Sequence, residues 1–300
     1  MDGNDARESL GRVLVAGATG YLGRHLVEQL KADRCWVRAL ARRPEQAASL
    51  DRADDVFIGE VTRAESLHGI ADGIDTVFST IGITRQRDAV GYNDVDYGGN
   101  LALLREAERS GVKRFVYVSV LHGRELRATV ELAAAKERFV DAMAESTVRS
   151  IVIRPTGYFS DLTALLDLAR KGTVYLIGDG TRRMNPIGGV DLARACIRAA
   201  TSSETEVQVG GPDILSHTEV ARAAFTALEK PPRIRHVPIR LALAAGWLAR
   251  MLTPQRIHGP LQFFLAVMTT DMVAPQTGSE RLGDFFAEQA AATSGREAPA

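Results

Sequence analysis

The stretch that decides the fold spans residues 12–30, RVLVAGATGYLGRHLVEQL. Four apolar residues, Val13 to Ala16, run into the turn Gly17-Ala18-Thr19-Gly20-Tyr21-Leu22-Gly23, and a helical pattern follows. In the spacing G-x-x-G-x-x-G each glycine has a mechanical task. Gly17 permits the tight exit from the strand. Gly20 lets the backbone approach a pyrophosphate with no Cβ in the way, and Gly23 lets the helix pack closely. The amino end of that helix offers N–H groups and a positive dipole to an anion. A turn of this kind after the first strand and before the first helix is read as a dinucleotide cradle, with Gly17, Thr19, Gly20, Tyr21, Leu22 and Gly23 as its residues.

Outward from this turn, short β-branched runs alternate with longer helical patterns. Residues 13–16, 37–41, 56–58, 76–79, 115–119 and 151–154 read as strands, with helices at 21–32, 100–110 and 131–145. Strand–helix alternation makes right-handed crossovers and a parallel sheet. The runs are almost wholly apolar, which suits a sheet covered on both faces. The expected fold is α/β: a Rossmann-type doubly wound parallel sheet with a smaller, mostly helical carboxyl-terminal part. The expected division is 1–155 for the nucleotide-binding domain. Residues 156–300 form a substrate-binding or lid region, packed on the first and partly interleaved with its sheet.

At the end of the second strand the chain reads Ala39-Leu40-Ala41-Arg42-Arg43. Sites for NAD usually place a carboxylate there, on the ribose hydroxyls. Arg42 and Arg43 instead offer bidentate donors to an adenosine 2′-phosphate. The expected cofactor is NADP(H), with NAD the alternative.

Composition sets the outer bounds. The 300 residues carry 37 Lys and Arg against 37 Asp and Glu, a formal net charge of zero, which argues against nucleic acid as the main partner. Cys35 and Cys196 are far apart in sequence and have no ligand spacing, so neither a disulfide framework nor a metal site is indicated. No run of eighteen apolar residues calls for a spanning helix, and the polar, acidic start lacks the apolar region of a signal peptide. A cytoplasmic, reducing setting is expected.

Several blocks, in order, carry a resemblance: GATGYLG from Gly17, DTVFSTIG from Asp75, DVDYGGNLALLREAERSGVKRFVYVSV from Asp94, AAAKERFVDAM from Ala133 and IRPTGYFSDL from Ile153. Together they resemble the atypical short-chain dehydrogenase/reductases, in the NmrA-like and extended branches of that NAD(P)-binding Rossmann family. The resemblance implies that Ser79, Thr80, Ile81 and Gly82 lie along the cofactor ribose. It places Ser119 beside the nicotinamide ribose, and Pro155, Thr156, Gly157 and Tyr158 past the nicotinamide carboxamide. It aligns Lys136 with the lysine of the family's Y-x-x-x-K pair, which lowers the pKa of a tyrosine that exchanges a proton during hydride transfer. The sequence departs from the pattern at both other positions: Leu132 stands for the tyrosine and Leu121 for the serine.

Three readings follow. Lys136 itself relays the proton, as in relatives resembling isoflavone reductase. Alternatively another side chain replaces the tyrosine: His122, at the carboxyl end of the fifth strand where ligands of open α/β sheets sit, or Tyr158. In these two readings the protein is an oxidoreductase reducing an apolar ketone or an activated olefin. A reductase without any acid also fits, since conjugate reduction can take its proton from water or the substrate, and the related plant divinyl-chlorophyllide reductases reduce olefins. In the third it is a catalytically silent NAD(P)-binding regulator or assembly factor. Thr84, Arg85 and Gln86 are candidates to close over the site.

Past Pro155 the rhythm changes. Residues 172–187 read as a hairpin around Gly178-Asp179-Gly180, with Arg182 and Arg183 available to an acidic substrate. The resemblance gives Asn185, Pro186, Ile187 and Asp191 the task of holding the carboxyl-terminal part to the core. Asp191 reads as a helix amino-terminal residue stabilised by the dipole. Residues 241–252 and 261–268 carry apolar side chains at helical spacing. They read as core and pocket lining, with Phe263, Phe264 and Met268 on a bulky apolar or aromatic substrate; a dimer face and a membrane-surface helix are the alternatives. The last residues, 290–300, are expected to fray.

Overall fold

The computed structural model describes residues 9–83 and 90–297. Thr84, Arg85 and Gln86 lie outside the described residues. In the first half the elements are β1 (Arg12–Ala16), α1 (Tyr21–Ala32), β2 (Trp36–Ala41), β3 (Asp55–Ile58), β4 (Thr76–Ser79), α2 (Asn100–Arg109), β5 (Arg114–Val118), α3 (Glu131–Ala144) and β6 (Arg149–Pro155). There follow α4 (Thr163–Arg170), β7 (Val174–Ile177), β8 (Arg183–Met184), α5 (Gly189–Thr201), β9 (Glu206–Val209), β10 (Leu215–Ser216), α6 (His217–Ala227), β11 (Ile234–Val237), α7 (Ile239–Leu252), α8 (Gln255–Thr269) and α9 (Leu282–Glu297).

Seven strands make one sheet in the order β3-β2-β1-β4-β5-β6-β9. The pairings from β3 through β6 are parallel, with Val13 opposite both Val37 and Thr76. The strand order reverses beside β1, and in open sheets the crevice at such a switch point is where ligands bind. Side chains from β1, β4 and β5 are buried on both faces, among them Val13, Leu14, Val15, Val77, Phe115 and Val116. That burial is the reason these runs do not alternate. Helix α1 turns Leu22, Leu26, Val27 and Leu30 inward, at the spacing of one helical face. Helix α3 does the same with Leu132, Ala135, Phe139 and Met143.

Two compact units emerge. The first holds Met1–Arg154 and Leu192–Val207; the second holds Pro155–Asp191 and Gln208–Ala300. Within the second, the expected hairpin at 172–187 does not form. β7 instead pairs in parallel with β11, Val174 opposite Ile234, and β8 pairs antiparallel with β10. Gly178 and Gly180 adopt φ of +76° each, so the glycines do make a turn, but one that sends β7 and β8 to different partners. The tail also differs from expectation, since α9 continues helical to Glu297 and Ala290 is buried. Helix α7 buries none of its residues, against the reading of 241–252 as core. Among the described residues no helix is long and apolar enough to cross a membrane.

Candidate functional site

The carboxyl ends of β1, β2, β4 and β5 lie at one edge of the sheet, and the residues that follow them form the candidate site. After β1, Gly17 takes φ +84°, a region closed to most side chains. A Cβ on Gly17 would also strike the hydroxyl of Thr80. The turn is closed by Gly20 N–H donating to Gly17 O at 2.9 Å. Gly20 itself has ordinary angles, φ −76° and ψ 173°, and a Cβ there would meet only Gly17 O, at 3.2 Å. Gly23 differs, because its Cβ would penetrate Gly17 O and approach Ala18 Cα to 2.7 Å. The first helical turn therefore rests directly on the loop, whereas Gly20 has only Gly17 O close to its Cβ position. No side chain caps the start of α1, and its first turn, opening with Tyr21 and Leu22, contains no acid. An uncapped, acid-free helix start of this length fits an anionic diphosphate.

At the end of β2, the Arg42 and Arg43 N–H groups donate to Gln46 Oε1 at 3.0 and 3.2 Å. Both side chains are exposed, and Arg42 Nε lies 3.9 Å from Glu60 Oε2. The exit of β4 is stitched to α2. Ser79 is buried and its hydroxyl donates to Asn100 Oδ1, while Asn100 Nδ2 donates to Asp96 O at 2.9 Å and Ile81 O at 3.3 Å. Thr80 Oγ1 donates to Ala16 O at 3.2 Å, tying this exit to that of β1.

Asp96 is the residue that sequence reasoning missed. It sits in a π-helical turn, Asn93–Gly99, that runs straight into α2. Wide turns of this kind recur at functional sites. The carboxylate is fully buried, accepts from Ile83 N–H at 3.2 Å and lies 3.0 Å from Lys136 Nζ. Burial pushes the Asp96 carboxyl above its ordinary range, with the Lys136 charge and the Ile83 N–H pulling the other way. Lys136, on α3, also lies 3.4 Å from Tyr117 Oη. A Cβ on Gly82 would come within 2.8 Å of its Nζ. Lys136, Asp96, Gly82 and Tyr117 thus converge at the end of β4. The Tyr117 phenol is pushed well above its usual pKa by burial, with Lys136 opposing.

Below this cluster runs a buried charge network. Ser119 Oγ donates to Glu137 Oε1 at 2.9 Å, and Glu137 receives both ends of the Arg154 guanidinium at 2.6 and 2.9 Å. Arg154 Nε lies 3.1 Å from Glu206, which in turn meets Arg124 at 2.6 Å. Gly123 is the spacer, since a Cβ there would collide with the Glu137 carboxylate. The signal was present in the sequence: an arginine inside the apolar run IVIRP, and an acid on the inward stripe of α3. Leu121 and Leu132 are buried hydrocarbon side chains, and neither has a proton to donate. His122 follows at φ +56°, with its ring partly exposed and Nδ1 4.0 Å from Glu125.

Pro155, Thr156, Gly157 and Tyr158 belong to the second unit. Thr156 is buried, its hydroxyl donating to Asn185 O at 2.6 Å. Gly157 takes φ +145°, and half-buried Tyr158 bridges to Ile187. Asn185 accepts from Ala274 N–H and donates to Gly211 O and Ala274 O. Asp191 does more than sit at a helix start: its Oδ2 accepts from the N–H groups of Ser279 and Glu280, both at 2.7 Å. Arg182 lies 3.7 Å from Asp271. Phe264 is exposed, Phe263 half-buried and Met268 buried.

The model of a family described as NAD(P)H-binding matches residues 17–203. A ceramide reductase of Caulobacter vibrioides is 29% identical over 81% of this chain and 78% of its own. A 3β-hydroxysteroid dehydrogenase/Δ5→4-isomerase of Mycobacterium tuberculosis is 34% identical over 83% of this chain and 76% of its own. Among solved structures, an NADPH-dependent quinone oxidoreductase from Escherichia coli, complexed with NADPH, superposes with a TM-score of 0.72 at 18% identity. That superposition covers 94% of this chain and 99% of the other.

Proposed function

The chain belongs to the NAD(P)H-binding family, in its atypical, extended short-chain dehydrogenase/reductase branch, and from that premise we propose that it is an NADP(H)-dependent reductase of an apolar ketone or activated olefin. The observation that carries the proposal is the open, uncapped start of α1 beside a buried lysine–carboxylate pair. Gly17, Thr19, Gly20, Tyr21, Leu22 and Gly23 form the phosphate cradle. Arg42 and Arg43 receive the 2′-phosphate, because the end of β2 offers guanidiniums and no carboxylate. Ser79, Thr80, Ile81, Gly82 and Ser119 shape the ribose wall, Ser79 and Ser119 through the backbone they fix. Pro155, Thr156, Gly157 and Tyr158 serve the nicotinamide end. When bound, the reduced nicotinamide supplies the hydride.

The Lys136 amine is held at the site by Asp96, 3.0 Å away, and by the Tyr117 hydroxyl at 3.4 Å, with no tyrosine at position 132. Its Nζ is the group proposed to orient the ribose and to pass a proton. His122 and Tyr158 are the two further proton sources proposed. The buried Leu121 and Leu132 favour a second reading, a silent NAD(P)-binding regulator, because they remove the usual acid. NADPH oxidation followed by absorbance against quinones, enones and aromatic ketones separates the two. Turnover on one class, with kcat at saturating NADPH lowered at least about a hundredfold in Lys136→Met, supports the reductase. Tight NADPH binding with no turnover on any class supports the regulator, and no affinity for either nicotinamide nucleotide overturns both.

A further inference from the structure

The second unit carries a feature that hydride transfer does not use. Helix α7 leaves Leu241, Leu243, Trp247, Leu248, Met251 and Leu252 between 49% and 73% exposed. Its inward stripe is small: Ala242, Gly246 and Ala249 are half-buried, and a Cβ on Gly246 would meet Leu265 of α8. The large apolar residues therefore point away from α8. They line the outer side of a helix of about 21 Å, and a contiguous exposed apolar face of this kind marks an interaction surface.

Charge identifies the occupant. Between Glu229 and Asp271 the sequence holds Lys230, Arg233, Arg235, Arg240, Arg250 and Arg256, and no carboxylate. All six are exposed, and none makes an ion pair among the described residues. A second copy of the chain, docked through α7 by a twofold axis, would bring this cationic segment against itself with no acid of its own to neutralise it. An anionic bilayer answers both features. Leucine, methionine and tryptophan side chains enter the headgroup boundary, while arginines on the same helix extend to the phosphates.

We infer that α7 and α8 dock this protein on the surface of an anionic lipid bilayer, with Trp247, Leu248 and Met251 inserted and Arg240, Arg250 and Arg256 at the headgroups. The inference stands independently of the cofactor reading, since none of these residues belongs to the proposed site.

The test is co-flotation of the full chain with phosphatidylcholine vesicles, with and without phosphatidylglycerol. Binding is expected only to the anionic vesicles and falls at high salt. Trp247 emission shifts to the blue on binding, and the shift is lost in Trp247→Phe, which retains Trp36. Leu248→Glu with Met251→Glu weakens binding at least about tenfold. Arg240→Gln and Arg250→Gln each weaken it about fivefold, and all variants keep their NADPH affinity. Equal binding to both vesicle types, or variants that float like the parent, overturns the inference. So does a dimer in sedimentation velocity that Leu248→Glu dissociates, because α7 would then be covered by a second copy. Absence of vesicle binding together with capture by an acidic protein surface also overturns it.

Discussion

Glycines of one motif are not equivalent, and the residue scale shows why. Gly20 has a backbone any residue can adopt and one tight neighbour, Gly17 O at 3.2 Å from its Cβ position; Gly23 would drive its Cβ into Gly17 O and Ala18. Gly20→Val is therefore expected to fold, with at most a small drop in melting temperature from the Gly17 O contact, and to lose NADPH affinity by about a hundredfold or more, measured by calorimetry. Gly23→Ala should lose stability instead. Overpacking costs about 1–3 kcal/mol, offset in part by about 1 kcal/mol of helix propensity, so the urea midpoint falls. If Gly20→Val bound NADPH like the parent, the cradle would be misassigned. Glu137 and Arg154 make the second residue-scale prediction. Their side chains are 1% and 3% exposed, so Glu137→Ala leaves a buried guanidinium with Glu206 as its remaining acid. The expected cost is about 3 kcal/mol by chemical denaturation. Replacing both residues by leucine and methionine should recover most of it, and a double variant as unstable as Glu137→Ala would count against a desolvation origin. The sequence signals each as a charge at an apolar position, but that the two pair with each other emerged only when the fold placed α3 beside β6.

At the scale of elements, one aspartate joins three strands. Asp75 N–H donates to Arg12 O, its carbonyl accepts from Lys113 and Arg114, and its carboxylate accepts from Arg12 N–H and Lys113 Nζ. The Lys113 hydrogen bond, with the Arg12 N–H and against some burial, lowers the Asp75 pKa below 3.8. The folded state thus binds this proton less readily than the unfolded chain. Its stabilisation is fully present above the ordinary carboxylate range and is lost as pH falls through the lowered value. Asp75→Asn should lower the melting temperature at neutral pH, and the gap to the parent should close in acid. A gap that stayed constant down to the acid end would remove the carboxylate from the account. The elements of the first unit were legible because each announces itself locally: α1 and β4 fall where periodicity puts them. β7 and β8 did not, because a four-residue and a two-residue strand have no local signature of their partners. Val174 pairs with Ile234 across sixty positions of sequence, and a glycine turn looks the same whether or not it closes a hairpin.

Across the whole molecule, the chain leaves the second unit at Asp191 and returns to it at Gln208. Asp191 is 3% exposed and holds two backbone N–H groups of the loop before α9. Asp191→Ala leaves those donors without their acceptor, at a cost of about 2 kcal/mol. Hydrogen exchange should then quicken around residues 278–282 while β1, β4 and β5 keep their protection. Loss of protection spread evenly over both units would show that they unfold as one.

By itself, the sequence determined the parallel sheet, the helix that follows the first strand, the glycine turn between them and the cofactor class, because strand burial, helix periodicity and the steric freedom of glycine act over a few neighbouring residues. Only the tertiary structure decided that Lys136 is paired with Asp96, that Glu137 and Arg154 share a buried network, and that α7 keeps its large apolar residues outside. Each of these depends on which distant segment arrives beside the residue, and the free energy of burying a charge or an apolar side chain is fixed by that neighbour and not by the local pattern.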